Sequence, residues 1–167
     1  MPADVRPAES LDLAAVERIY LHYVHTGVAT FELSAPDERE WRRRFDTIAE
    51  VGLPFLVAES AGEFLGYAYA TQWRARPAYR YTVEESVYVA PGAAGAGVGR
   101  ALLDELLHRC AKAGVREVIA VVVDSDAQAS LALHRRCRFA EAGRLRDVGY
   151  KHGRWLDTLL LQRSLEP

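Results

Sequence analysis

The chain has 167 residues, and its 21 Lys and Arg against 23 Asp and Glu give a formal net charge of −2. This length fits one domain, which would bury roughly 70% of the surface that its unfolded chain exposes. Hydrophobic residues make up 50% and charged residues 26%, which is typical of a folded globular protein and excludes a disordered one. The balanced charge argues against a nucleic-acid or membrane-surface partner, so an anionic ligand must be bound locally.

The first half of the chain is predicted to form two helices, a hairpin and a strand. Ser10 could cap a first helix that ends at Gly27, and a second helix should begin near Pro36. The segment PFLVAES-AGE-FLGYAYATQW has two apolar runs joined by a short glycine-containing turn, which predicts a hairpin. Residues 82–89 predict a further strand.

The second half predicts a helix, a buried strand, a short helix and a last strand pair. An apolar stripe runs along the first of these helices, which should end at Gly114; its members are Val98, Leu102, Leu103, Leu106, Leu107 and Cys110. VREVIAVVV indicates a buried strand, and Asp126 could cap the short helix through Arg136. AGRLRDVGYKH and WLDTLLLQRSL predict the strand pair. We therefore expect one α/β domain over residues 1–167, with a mixed sheet.

The cysteines and the start of the chain argue against a metal-binding, a secreted or a membrane protein. Cys110 and Cys137 are not in a CxxC motif and have no cluster of His or Cys nearby, so we expect no metal site. Cys110 shares a helical face with leucines, and we expect it to be a reduced core thiol. The N-terminal MPADVRPAESLDL lacks a basic start followed by an apolar run, and no stretch approaches 18 apolar residues. We expect a cytoplasmic protein with no membrane segment.

The glycine-rich loop in VYVAPGAAGAGVGRALL stands directly before a predicted helix. The spacing from Gly92 to Gly97 fits a Walker loop, but Val98 and Gly99 follow where Lys and Ser or Thr are needed. A dinucleotide fingerprint fails because Arg100 replaces its last glycine. A loop with almost no side chains can still offer backbone N–H groups, supported by the helix dipole, to an anion. The alternative is a flexible connector.

The order of strand, glycine-rich loop, helix, strand and short helix resembles the GNAT family of N-acetyltransferases. TVEESVYV, LALHRRCRF, GYKHGRWLDTLLLQ, TFE at 30–32 and RARPAYRYT at 74–82 are similar to its phosphinothricin N-acetyltransferase branch. The likeness covers nearly the whole chain. It implies a GNAT fold with a mixed sheet, an acetyl-CoA cosubstrate, a small-molecule amine acceptor and a homodimer.

By this resemblance, the glycine loop holds the pyrophosphate of acetyl-CoA, and the strand before it pairs with the pantetheine arm. The implied cofactor-binding residues are Val87, Tyr88, Val89, Gly95, Ala96, Gly97, Val98, Gly99 and Arg100. The chain departs from the family at Ala94, where Arg or Gln is usual, at Ala127, where Asn is frequent, and at Arg138, where Gly precedes the Phe. The first two departures remove polar contacts, so we expect weakened binding on the retained backbone cradle.

The resemblance also implies the catalytic residues. Glu84 matches the carboxylate that deprotonates the amine, directly or through water. Glu85 should point to the opposite face of a regular strand, so we expect it to be an exposed structural carboxylate. His134 matches the proton donor for the departing thiolate, although a packing or surface role is the alternative, and His152 could line the pocket.

Arg74 and Arg76 could hold a substrate carboxylate, with Tyr79 and Tyr81 shaping the pocket; a solvated charged loop is the alternative. Thr30 and Phe31 resemble residues that approach the substrate. The expected acceptor is the α-amine of a small amino acid or of an analogue such as phosphinothricin or methionine sulfoximine. The rival interpretations are a degenerate coenzyme A-binding module and an acetyltransferase for a polyamine, an aminoglycoside or a protein N-terminus.

Overall fold

The computed structural model describes residues 2–165, which form one seven-stranded sheet flanked by four α-helices. In chain order the elements are β1 (Asp4–Pro7), α1 (Leu13–Thr26), α2 (Glu38–Glu50), β2 (Phe55–Ser60), β3 (Glu63–Gln72), β4 (Thr82–Val89), α3 (Val98–Lys112), β5 (Glu117–Val123), α4 (Gln128–Arg136), β6 (Ala140–Lys151) and β7 (Arg154–Ser164). Within residues 2–165, no helix is both long and apolar enough to cross a membrane.

The sheet has the order β1-β2-β3-β4-β5-β7-β6. Only β4 and β5 run parallel, and every other neighbouring pair in the described chain is antiparallel. Parallel neighbours need a crossover, and α3 with the glycine-rich loop before it provides that connection. The predicted mixed α/β sheet is therefore confirmed.

Two apolar cores cover the two faces of the sheet, because adjacent strand residues point in opposite directions. Ala68 belongs to the core beneath α3, whereas its neighbour Tyr67 packs with α1 and α2. All six members of the predicted α3 stripe are buried, including the Cys110 thiol. On the other face, aromatic rings pack edge to face around the fully buried Trp41.

Most of the predicted elements occur where the sequence patterns indicate them, with three differences. Ser10 does not cap α1; it lies in a short 3-10 turn, where the Asp12 carboxylate accepts a bond from the backbone N–H of Glu9. Asp126 does not cap α4, because its backbone is left-handed (φ 54°) and Ala127 occupies the N-cap position. Strand β1 was not predicted, since four residues at a sheet edge carry little apolar periodicity.

Gly66 provides a test of the close approach between β3 and β4. A Cβ built on Gly66 lies 2.6 Å from the backbone oxygen of Tyr88, which cannot move without disturbing the strand pairing. Gly66→Ala should therefore lower the free energy of unfolding by about 1–3 kcal/mol, measured by urea denaturation. Gly143→Ala is the matched control, because nothing lies within 4 Å of its Cβ position. Equal losses in the two variants would contradict this account of the packing.

Candidate functional site

The site is a cavity where β4 and β5 separate. The two strands pair from Thr82 with Glu117 to Glu85 with Ala120, although β4 continues to Val89. Beyond this point the end of β5, Val121–Val123, pairs only with β7 among the described strands. The separation leaves one edge of Val87–Val89 without a partner strand among residues 2–165 and opens a cavity of about 1210 Å³. Side chains from both faces of the sheet line it, among them Tyr20 of α1 and His134 of α4.

The glycine-rich loop closes one end of this cavity. Gly92, Gly95 and Gly97 all have positive φ, between 81° and 91°, which a residue with a side chain rarely adopts. Gly97 directly precedes α3 and provides no side-chain cap, so the first N–H groups of the helix have no acceptor from that residue. Nothing lies within 4 Å of a Cβ built at these three glycines. The open loop and the positive end of α3 suit an anionic group.

The structure brings together almost all the residues that the resemblance assigns to the cofactor. The cavity is lined by Val87, Tyr88, Val89, Gly95, Gly97, Val98, Gly99 and Arg100. Ala96 is exposed and does not belong to the lining. A Cβ at Gly99 would lie 3.3 Å from the Leu133 side chain of α4, so a glycine there allows α3 and α4 to approach closely.

The three departures from the family have distinct structural settings. Ala94 and Ala127 both line the cavity, and neither side chain offers a polar group to a ligand. Arg138 is exposed and has a φ of 63°, the left-handed conformation that glycine adopts most easily after a helix. Its replacement of glycine therefore affects the backbone after α4, whereas the two alanines affect the wall of the cavity.

Glu84 and Glu85 both belong to the cavity wall. The expectation for Glu85 was wrong: it is 6% exposed, because it points towards α3 and α4 and not towards solvent. Glu84 faces the other side of the strand, and both reach the cavity because it opens on both faces where the strands separate. Burial raises the pKa of Glu84, the charge of Glu85 raises it further, and Arg74 partly opposes both.

His134 is held on both ring nitrogens. Its Nε2 lies 2.7 Å from Oε1 of Glu85, and its Nδ1 lies 2.7 Å from the backbone oxygen of Ser130. Phe139 packs edge to face on the ring, which is 5% exposed. Burial acts to lower the pKa of His134, but the hydrogen bond and charge of Glu85, together with Ser130, raise it above the ordinary value.

The end of the cavity beside α1 contains the segment from Gly27 to Glu32. The Tyr20 hydroxyl lies 2.6 Å from Oγ1 of Thr30 and donates to a carboxylate oxygen of Glu32 at 3.0 Å. Arg44 donates to that same oxygen at 2.7 Å. Thr30 and Phe31 line the cavity as expected. Glu32 belongs to the TFE stretch of the resemblance, but the sequence did not point to Tyr20 or Arg44 as site residues, because nothing local marks their mutual contacts.

Three contacts fasten this segment to the end of β6. Lys151 Nζ donates to the backbone oxygen of Thr30 at 2.8 Å, and His152 Nε2 donates to the backbone oxygen of Gly27 at 3.2 Å. The Phe31 ring occupies the space above Gly149 that a Cβ would need. Lys151 is buried, which lowers the pKa of its ammonium group. His152 holds the segment from an exposed position and does not line the cavity.

The arginine-rich segment lies outside the cavity wall. Its four predicted substrate-binding residues, Arg74, Arg76, Tyr79 and Tyr81, are all exposed, and none is part of the lining. The Arg74 guanidinium stacks on the Trp73 ring at 4.0 Å. Of these residues, only Arg74 is close enough to lower the pKa of Glu84.

Comparison with known proteins agrees with this geometry. The model of the acetyltransferase (GNAT) family matches residues 16–139. A phosphinothricin N-acetyltransferase of Alcaligenes faecalis is 53% identical over 96% of this chain and 82% of its own length. An L-methionine sulfoximine/L-methionine sulfone acetyltransferase of Pseudomonas aeruginosa is 39% identical over 100% of this chain and 97% of its own.

A solved structure shares both the fold and much of the sequence. It is a GNAT superfamily phosphinothricin acetyltransferase from Sinorhizobium meliloti in complex with acetyl-CoA. It superposes with a TM-score of 0.94 at 46% identity, over 99% of this chain and 89% of the other. The family match covers the separated strands, the glycine-rich loop and α4 together, and this chain therefore belongs to the acetyltransferase (GNAT) family.

Proposed function

We propose that this protein transfers the acetyl group of acetyl-CoA to the amine of a small amino acid or amino-acid analogue. The observation that carries the proposal is that one cavity joins the glycine-rich start of α3 to the consecutive carboxylates Glu84 and Glu85 of β4. The relatives named for phosphinothricin and for methionine sulfoximine support this acceptor class, because both compounds carry an amino-acid head group.

The described residues fit acetyl-CoA in two ways. Gly95–Arg100 would hold the pyrophosphate through backbone N–H groups at the start of α3. The edge of Val87–Val89 that faces away from β3 has no strand neighbour in the described chain and would hold the pantetheine arm by backbone hydrogen bonds, as a sheet edge holds an added strand. The Val89 oxygen on this edge already accepts a hydrogen bond from the Tyr23 hydroxyl at 2.6 Å, which leaves the other backbone groups for the arm. When bound, acetyl-CoA supplies the activated acetyl thioester.

Glu84 is the proposed general base. An amine attacks a thioester only when it is neutral, whereas an α-amino group with a pKa of about 8 is mostly protonated at pH 7. Burial and the neighbouring Glu85 raise the pKa of Glu84, which brings its proton affinity closer to that of the amine. His134 is the proposed proton donor to the sulfur that departs from the acetyl group.

The charges around the acceptor end support an ammonium group beside Glu84. Glu84, Glu85 and Glu32 all line the cavity, and Arg44 balances Glu32. Arg74 lies outside the cavity lining, but its charge acts on Glu84, and it is the proposed partner of the acceptor's carboxylate, with Arg76, Tyr79 and Tyr81 around it. The same carboxylates keep a polyamine as the second candidate acceptor, since two ammonium groups could be held where an amino acid has one.

We also propose that the protein is a cytoplasmic homodimer, as the resemblance implies. Support comes from the β6–β7 hairpin, whose Leu145, Val148, Tyr150 and Trp155 are 46–64% exposed. A second copy that covered these residues would remove apolar surface from water.

The function is tested by the release of free thiol from acetyl-CoA in the presence of amino acids, their analogues and polyamines. We expect turnover with an amino acid or analogue, and acetyl-CoA should raise the melting temperature because it binds the folded state. Gly97→Asp should abolish both effects, since a carboxylate there repels the phosphates. Gly62→Asp is the control: it also has positive φ (80°) and open space, but it lies in the β2–β3 turn. No thiol release with any amine would refute the proposal.

The base is tested by Glu84→Gln, which keeps the size of the side chain and removes its basicity. We expect kcat to fall about 10²-fold near neutral pH, with little change in the affinity for acetyl-CoA. Because the pKa of Glu84 is raised, the acid limb of the wild-type pH–rate profile should lie above the ordinary range of a glutamate. The deficit should shrink as rising pH neutralises the amine itself. Equal rates from pH 6 to 10 would assign Glu84 a structural role.

The acceptor's carboxylate is tested by comparing Arg74→Gln with Arg76→Gln. Loss of Arg74 should raise KM for an amino acid about tenfold, the value of one charge-assisted contact. It should also move the acid limb to higher pH, because Arg74 lowers the pKa of Glu84. Arg76→Gln should leave the acid limb in place. A KM that rises for polyamines as much as for amino acids would contradict the assigned role of Arg74.

A further inference from the structure

Glu85 and His134 form a buried contact whose protons can be counted. Nδ1 of His134 lies 2.7 Å from the backbone oxygen of Ser130, and a carbonyl oxygen can only accept. Two lone pairs at this distance would repel each other, so Nδ1 carries a proton. The Oγ atom of Ser130 lies farther from Nδ1, at 3.4 Å, and leaves that assignment unchanged.

The other ring nitrogen then determines the state of the pair. If Nδ1 holds a proton and the imidazole is neutral, Nε2 has a lone pair that faces Oε1 of Glu85 at 2.7 Å. An ionised carboxylate would repel that lone pair. The contact therefore requires one further proton between Nε2 and Oε1, held either as imidazolium with carboxylate or as imidazole with carboxylic acid. Both arrangements carry no net charge, which suits side chains that are 6% and 3% exposed.

The second oxygen of Glu85 has a different setting. Oε2 is buried and has no hydrogen-bond partner among residues 2–165. Because Oε1 is occupied by His134, Oε2 is the oxygen of Glu85 that has no polar contact in the described chain. A buried carboxylate oxygen without a partner costs free energy, which a purely structural ion pair would not need to spend.

We propose that Glu85 is a positioning residue that holds His134 through a single shared proton and keeps this proton available for the departing thiolate. The contact fixes the ring so that the mobile proton lies between Nε2 and Oε1, within the wall that the two residues form. His134 lines that cavity from α4, and Glu85 lines it from β4. The transfer of this proton to the thiolate rests on the proposed acetyl transfer. The shared proton itself does not, because it follows from the two hydrogen bonds of His134.

Proton transfer balances in this scheme. Glu84 takes one proton from the ammonium group and passes it to solvent, and the neutral amine forms the new C–N bond. As the C–S bond breaks, its electron pair stays on sulfur, and the proton shared between Nε2 of His134 and Oε1 of Glu85 leaves that contact and passes to the sulfur. The lone pair of Nε2 then faces the ionised carboxylate of Glu85, and the two repel each other. The newly acylated nitrogen carries one proton too many, and its loss returns a proton to the contact between His134 and Glu85.

Other charged or titratable groups face the pair from each packed element. From β4 the Glu84 carboxylate lies close enough for the charge of Glu85 to raise its pKa. On α3 the nearby titratable group is the Cys110 thiol. Burial, and to a smaller extent the charge of Glu85, raises the pKa of this thiol to about 12. The charge of Glu85 also acts on the Tyr88 hydroxyl, which burial keeps protonated. Cys110 and Tyr88 therefore stay neutral across the working pH range, which leaves Glu84 as the competing group.

Glu85→Gln tests the proposal, because it keeps the shape of the side chain and removes the carboxylate that stabilises the imidazolium. The titration of the His134 ring is followed by NMR, with its signals assigned by comparison with His134→Gln. We expect His134 to lose its proton at lower pH in Glu85→Gln than in the wild type. We also expect kcat to fall about tenfold or more at pH 8, with a smaller loss at pH 6 and an unchanged affinity for acetyl-CoA.

Glu84→Gln is the matched control, since it removes the adjacent carboxylate on the opposite face of β4. Its rate deficit should shrink as pH rises, whereas that of Glu85→Gln should grow, and its His134 should keep a proton over nearly the wild-type range. Glu85→Asp provides a second variant if Glu85→Gln does not fold. It keeps the charge but is one methylene shorter, so the contact with Nε2 lengthens and the deficit should again grow with pH.

Two outcomes would overturn the inference. One is an unchanged His134 titration in Glu85→Gln, and the other is a rate deficit that stays constant across pH, as a structural role predicts. A wild-type protein that releases no thiol, combined with a shifted His134 titration in Glu85→Gln, would overturn the acetyl-transfer function and support the shared proton.

Discussion

The separation of β4 from β5 beyond Glu85 and Ala120 is the constraint on which the rest of the site depends. Parallel strands that stayed paired would leave no edge for a ligand and no passage between the two faces of the sheet. Because the strands diverge, side chains from opposite faces meet in one cavity, and two consecutive glutamates can both reach it. The start of α3 lies beside the same opening, since the crossover helix must leave β4 at its C-terminal end.

The interior of the site combines groups that usually cost stability. A carboxylate and an imidazole are buried against each other, and a second carboxylate lies next to them on β4. Such an arrangement is tolerated when proton sharing removes net charge. The aromatic cluster on the α1 face and the leucine stripe of α3 on the other supply the packing that holds these polar groups in place.

Local patterns were enough to predict most of the fold. The stripe of α3 and the hairpin of β2 and β3 have strong periodicity or turn residues, and both occur as predicted. The resemblance located the glycine-rich loop, Glu84 and His134, all of which line the cavity. Side-chain alternation led to the expectation that Glu85 is exposed, and this was wrong. Helices cover both faces of this sheet, so the face opposite to Glu84 is not in contact with solvent. No local signal connects Glu85 with His134, 49 residues away.

The attachment of the Gly27–Glu32 segment to the end of β6 makes the shape of one end of the cavity independent of the other end, where the glycine-rich loop lies. Its anchors, Gly149, Lys151 and His152, are more than 115 residues away in the chain from the segment that they hold. None of them contributes to the loop before α3 or to the free edge of β4. Substitutions at the β6–β7 turn can therefore reshape the cavity wall around Thr30 and Phe31 while the glycine-rich loop stays intact. A lineage with this fold can thus change the shape of one end of its cavity through changes in one hairpin, without rebuilding the other end.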